Sequence, residues 1–129
     1  MILNHLNLTV AAVDDAARFF EAYLGLRCVE KKGQNAFALL VDDAGFCLIL
    51  SNFDRSAAPQ YPKDFHLGFI QKTKEQVEAL HQRLQTGGYA SQPPRQMHGS
   101  WGFYFTAPGG ILIEVSVPVA RDEGVSSGQ

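Results

Sequence analysis

Two stretches of this chain repeat each other, and that repeat limits the possible folds more than any other feature. Asn4-His5-Leu6-Asn7-Leu8 lines up with Phe65-His66-Leu67-Gly68-Phe69, and Phe46-Cys47-Leu48-Ile49-Leu50-Ser51 lines up with Ile111 to Ser116 when Gly45 is set against Gly110. A self-similarity spanning half the chain implies one structural unit built twice. His5 and His66 then occupy equivalent positions, and Ile49 is the first-half counterpart of Glu114.

Each half reads as βαβββ. Ile2 to Val10 alternates, with His5, Asn7 and Thr9 on the face opposite Leu6 and Leu8. Asp14 or Asp15 is expected to cap a helix whose apolar positions Ala16, Phe19, Phe20, Tyr23 and Leu24 recur at helical spacing until Gly25. Strand-like pieces follow at Cys28 to Lys31, Ala36 to Val41 and Phe46 to Ser51, and residues 52–64, with Pro59 and Pro62, suit a connector. The pattern then restarts with a strand from Phe65 to Gln71 and a Thr73-to-Gln76 capping box. The stripe Val77, Leu80, Leu84 comes next, with His81 expected in solvent, and Gly87-Gly88 is the stop. A weaker strand at Tyr89 to Gln92 precedes Pro93-Pro94. The strands Gly102 to Ala107 and Ile111 to Val117 close the unit through a hairpin at Gly109-Gly110. The expected fold class is α+β, with one domain over residues 1–119 made of modules 1–53 and 65–118. Residues 120–129, rich in Gly, Ser and charge, read as a flexible tail.

Composition removes several function classes. A 129-residue chain that is 46% hydrophobic and 19% charged can bury a real core. Its net charge of −2 and lack of a basic run leave no footprint for nucleic acid or an anionic membrane. No apolar run approaches the roughly 20 residues of a membrane span, and no basic leader precedes the first strand. A cytoplasmic protein is expected. Cys28 and Cys47 form no C-x-x-C and lie in apolar segments, which predicts buried reduced thiols.

One carboxylate stands out. Glu114 sits inside the aliphatic run Ile111 to Val117, sharing a strand face with Leu112 and Ser116. An ionised side chain there needs water, a cation or a metal. Two equivalent histidines, His5 and His66, project from strand faces opposite the core, and with Glu114 they make a 2-His-1-carboxylate set suited to a divalent ion with open positions. Singly, each would read as an ordinary hydrogen-bonded or solvated residue; the repeat favours convergence. Arg95, His98, Ser100 and Trp101 fall in a loop before the Gly102 strand, where a lid would lie. Arg95 and Trp101 are candidate substrate contacts, and His98 and Tyr104 candidate acids or bases.

These motifs resemble the vicinal oxygen chelate superfamily of glyoxalase I, extradiol dioxygenases, fosfomycin resistance proteins and bleomycin-binding proteins. The resemblance covers residues 2–117. It rests on Asn4 to Val10, on Phe20 to Leu26 ending in Leu24-Gly25-Leu26, on His66-Leu67-Gly68-Phe69, and on Phe103-Tyr104-Phe105 through Pro108-Gly109-Gly110 to Ile113-Glu114-Val115. It implies two βαβββ modules forming a curved mixed sheet around a pocket, with His5, His66 and Glu114 on the metal positions. It also implies one divalent ion (Fe, Mn, Zn, Ni or Co), a small-molecule substrate with vicinal oxygens, and a homodimer in which His5 of one chain meets His66 and Glu114 of the other. The implied reaction is that of a lyase, dioxygenase or thiol transferase; the alternative is a metal-free, drug-binding protein of the bleomycin-resistance type. Glyoxalase I has a ligating Glu where this chain has Ile49, and the fosfomycin proteins have a Thr where it has Asn7. Asn7 and Ile49 are thus candidate substrate contacts beside a three-ligand site.

Overall fold

The computed structural model describes residues 1–55, 59–89 and 92–119. Its elements in chain order are β1 (His5–Thr9), α1 (Val13–Leu24), β2 (Arg27–Lys32), β3 (Phe37–Val41), β4 (Cys47–Ser51), β5 (His66–Ile70), α2 (Lys74–Thr86), β6 (Arg95–Met97), β7 (Ser100–Ala107) and β8 (Ile111–Pro118). This is the α+β arrangement of two βαβββ modules. The chain divides into two compact units, one of Met1–Phe65 with Ala107–Ile111, the other of His66–Thr106 and the chain from Leu112 onward.

The repeat is visible in topology and register alike. One sheet has the order β1-β4-β3-β2 and the other β5-β8-β7-β6, the same order twice. β1 runs parallel to β4 with His5 opposite Cys47 and Asn7 opposite Ile49; β5 runs parallel to β8 with His66 opposite Leu112 and Gly68 opposite Glu114. Ile49 is therefore the register counterpart of Glu114, as the sequence alignment predicts.

Alternation assigns each sheet a buried face and an open one. In the first unit Leu8, Ala38, Leu40, Leu48 and Leu50 are buried, as are Val13, Ala16, Ala17, Phe19 and Phe20 of α1. His5, Asn7 and Thr9 point the other way and are exposed. In the second unit Phe103, Phe105, Ile113 and Val115 are buried with Val77, Leu80 and Leu84 of α2. Truncating a buried Phe such as Phe103 to Ala typically costs about 3–5 kcal/mol. Thr73 caps α2 as its capping box predicts, its Oγ1 accepting from the Gln76 amide at 3.1 Å while Gln76 Oε1 accepts from the Lys72 amide at 2.9 Å.

Four local expectations are corrected. Neither Asp14 nor Asp15 caps α1: the cap position is Ala12, without a side-chain hydrogen bond. Asp14 instead exchanges hydrogen bonds with Asn35, whose amide it accepts at 3.3 Å and whose Oδ1 accepts from the Asp14 amide at 3.0 Å. Tyr89 and Gln92 lie outside any strand, and residues 90–91 fall outside the described ones. The strand of that region, β6, begins directly after Pro94, at a sheet edge where the missing proline N–H breaks no ladder. His81 is buried, 6% exposed, with its ring edge-on to Phe103 at 5.1 Å, because α2 presses that turn against β7. Cys28 and Cys47 are free but only half-buried. The tail, residues 120–129, lies outside the described residues.

Glycine has two opposite uses on the second sheet. A Cβ at Gly102 would lie 2.0 Å from the Val115 carbonyl oxygen and 2.7 Å from Ser116 Cα, so β7 approaches β8 more closely than any side chain permits. A Cβ at Gly68 would meet nothing within 4 Å. Gly102→Ala is therefore expected to lower stability by more than about 2 kcal/mol, as backbone strain does, while Gly68→Ala leaves it nearly unchanged. Chemical denaturation of the two variants checks this, and equal midpoints would contradict it.

Candidate metal and substrate site

Two neighbouring strands bring the second unit's polar residues together. His66 starts β5 and Glu114 lies two residues beyond its register partner on β8, so both rise from the same open face. His66 Nε2 stands 3.2 Å from Glu114 Oε1. Tyr104 of β7 shares that face, alternating against Phe103 and Phe105, and its hydroxyl donates to the same Oε1 at 3.1 Å. The His66 ring meets the Tyr104 ring edge-on at 5.5 Å. Gly68, opposite Glu114, contributes no side chain, which leaves the carboxylate room beside β5.

The electrostatics of this cluster follow from burial and charge. Burial raises the Tyr104 pKa above the ordinary phenol value, and the charge of Glu114 and the hydrogen bond to it raise it further, while Arg95 acts in the opposite direction. Tyr104 thus keeps its proton at neutral pH. It serves as a hydrogen-bond donor there and not as a base.

The first unit carries the counterpart face. His5 Nδ1 lies 2.7 Å from Asn4 Oδ1. With that oxygen accepting, Nδ1 holds the proton and Nε2 keeps its lone pair, which is how a ligating histidine is oriented. Asn7 Oδ1 accepts from Ser51 Oγ at 2.6 Å. Ile49 stands between Asn7 of β1 and Leu39 of β3. Asn7, Thr9, Ser51, Asn52, Phe53 and Asp54 line an open cleft of about 460 Å³. Strand alternation already places Ser51 beside Asn7; Phe53 and Asp54 follow β4 without a motif, and sequence reading missed them.

The remaining candidates fall elsewhere. Arg95 heads β6 and pairs in register with Gly102, on the face of Tyr104. Trp101 pairs with Gln96 on the opposite face, where Lys74 Nζ lies 5.2 Å from its ring centre. It packs beside α2, away from Glu114's face. His98 occupies the turn of the β6–β7 hairpin and is exposed. The expected lid loop is thus a tight hairpin, and His98 is not brought to the cluster.

His66 and Glu114 fit a divalent ion. For metal–ligand bonds of about 2.0–2.2 Å, two donors at right angles lie about 2.8–3.1 Å apart, close to the 3.2 Å observed between them. Among the described residues no group of three or more His, Cys, Asp or Glu is gathered to hold a metal ion. The pair supplies two donors of mixed N/O type.

Comparison with known proteins now bears on this arrangement. A family model, the Glyoxalase/Bleomycin resistance protein/Dioxygenase superfamily, matches residues 2–115. The chain belongs to that superfamily. A solved structure described as a possible glyoxalase from Bacillus cereus is 46% identical, with a TM-score of 0.81, covering 90% of this chain and 98% of the other. A glyoxylase/bleomycin resistance protein/dioxygenase domain from Frankia sp. EAN1pec is similar at 21% identity and TM-score 0.79, over 92% of this chain and 98% of its own. A lactoylglutathione lyase from Agrobacterium tumefaciens is similar at 18% identity and TM-score 0.70, over 90% and 92%. The latter two bear on the fold alone. Comparison with curated proteins gives no match. No helix among the described residues is long and apolar enough to cross a membrane.

The polar face of the second sheet makes one testable statement about Tyr104. The absorbance difference between the protein and Tyr104→Phe should titrate above pH 10, and the same difference in a Glu114→Gln background should move to lower pH. Replacing the carboxylate by a neutral amide removes the charge that raises the phenol and weakens the hydrogen bond to it, so an unchanged midpoint would contradict the influence of Glu114 on Tyr104.

Proposed function

We propose that this chain is a divalent-metal-dependent enzyme acting on a small molecule that binds through two adjacent oxygens. The observation that supports this reading is the His66–Glu114 pair, spaced as neighbouring ligands on the open face of a sheet. His66 Nε2 and Glu114 hold the ion, and His5, with Nε2 left free by Asn4, adds the third donor from a second copy of the chain. Bound there, a divalent ion (Fe, Mn, Zn, Ni or Co) supplies Lewis acidity that polarises substrate oxygens and stabilises the charge developing on them.

The protein's own groups set the rest. Tyr104 donates to Glu114 Oε1 and so fixes the carboxylate's orientation, as the outer partner of a ligand commonly does. Its protonated hydroxyl is also the acid nearest the ligand pair. Ile49 replaces a possible fourth donor by an apolar side chain, which leaves ligand positions for substrate and keeps water from one side of the site. Asn7 and Arg95 contact the substrate. His98, exposed in its hairpin turn, and Trp101, beside α2, take no part in this scheme. The class of reaction is that of a lyase, dioxygenase or thiol transferase of the superfamily.

Metal uptake and mass, measured on the same reconstituted sample, test the reading. One ion per chain and a dimer by light scattering are expected. His66→Ala and Glu114→Gln should weaken metal binding by about 10–100-fold or more, the range seen on loss of site residues. Ile49→Glu should raise metal affinity and weaken a bidentate oxygen probe such as catechol. A reconstituted protein that takes up none of the five metals, or a monomer that binds one with unchanged affinity after His5→Ala, would defeat the corresponding part.

A further inference from the structure

The open face of the second sheet carries few charged groups, and their positions point to the substrate's own charge. Its residues are His66, Gly68 and Ile70 on β5, Leu112, Glu114 and Ser116 on β8, Gly102, Tyr104 and Thr106 on β7, and Arg95 and Met97 on β6. Glu114 is the only carboxylate in this set and Arg95 the only permanent cation. The Tyr104 hydroxyl is already engaged by Glu114 Oε1, and His66 Nε2, 3.2 Å from the same oxygen, is the ligand proposed for the ion. Arg95 is exposed, and among the described residues its guanidinium has no hydrogen bond or ion pair. Its five N–H groups form a planar fork that matches carboxylate or phosphonate oxygens.

Register puts the arm on the side of the pair. Arg95 stands opposite Gly102, on the face of Tyr104, and its charge acts on the Tyr104 phenol in the sense opposite to that of Glu114. β6 lies two strand spacings, about 10 Å, from β8, and a fully extended arginine spans much of that gap. The charges of Glu114 and Arg95 offset each other, so a divalent ion on the pair would leave the face positive. Such a face selects an anion.

Resting on the metal-chelate reading above, we propose that Arg95 is an anion-recognition arm and that the substrate is a compact organic acid, with a carboxylate or phosphonate set a few bonds from its two chelating oxygens. The neutral end of the molecule is ranked second by this face and the acidic end first. Arg95 then determines specificity without touching the ion.

Two probes with the same vicinal oxygens isolate the arm: catechol, and 3,4-dihydroxybenzoate, which adds only a carboxylate. Calorimetry on metal-loaded protein should give about tenfold tighter binding of the benzoate, the scale of one charge-assisted contact, and the preference should shrink as salt rises. Arg95→Gln should abolish the preference, bringing the benzoate down to the affinity of catechol for the same variant; Arg95→Lys should keep part of it. 3,4-Dihydroxyphenylphosphonate in the same series separates a carboxylate from a phosphonate partner. Equal affinity of the wild type for catechol and both acids, or a preference that survives Arg95→Gln, overturns the proposal. Metal content of the same sample separates the two claims: metal bound without an acid preference overturns this inference alone, and no metal bound overturns the chelate reading and this inference with it.

Discussion

The site depends on the register of one parallel strand pair. β5 and β8 align so that His66 faces Leu112 and Gly68 faces Glu114, which sets the imidazole one step diagonally from the carboxylate on a common face. A slip of one residue would turn Glu114 toward the buried side and His66 away from it. Two neighbouring features hold this register in place. The apolar positions Ile113 and Val115 are fully buried on the opposite face, and β7 is drawn against β8 at Gly102, where no Cβ fits. The chemistry on the open face is thus specified by packing on the closed one.

The same register in the first unit produces a different surface. Ile49 stands where Glu114 does, and Asn7 where Gly68 does. One difference removes a carboxylate; the other fills the space that gives the carboxylate its room. Asn7 then turns to Ser51, and the polar floor of a cleft appears where the second unit has the His66–Glu114 pair. Two copies of one topology therefore carry different faces: one has a histidine, a carboxylate and a phenol in contact, the other a single histidine, an apolar neighbour and a hydrogen-bonding wall.

Much of this was legible in the sequence because it rests on period two. Alternation places His5, His66, Glu114 and Tyr104 on faces opposite the core, and the internal repeat alone implies the Ile49–Glu114 equivalence. What failed was local. Pro93-Pro94 read as a break, although an edge strand accepts a proline before its first residue, so β6 was expected too early in the chain. That error made 95–101 a lid. With β7 starting at Ser100, Trp101 alternates with Phe103 and Phe105 and belongs to the helix side. His81 looked solvated by its polarity, yet it is held against Phe103 by the helix's packing. Asp14 looked like a cap, but a partner 21 residues away, Asn35, engages it. Tertiary contacts decided each of these, and local pattern cannot report them.

The central claim is that His66 and Glu114 are neighbouring ligands of one divalent ion completed by His5. X-ray absorption spectroscopy of the nickel- or cobalt-loaded protein addresses it without requiring a substrate. The account predicts a first shell of nitrogen and oxygen at about 2.0–2.2 Å, with the outer-shell scattering of two imidazoles, reduced to one in His66→Ala and to one in His5→Ala. A shell of oxygen alone, or an imidazole signal untouched by both substitutions, would contradict it.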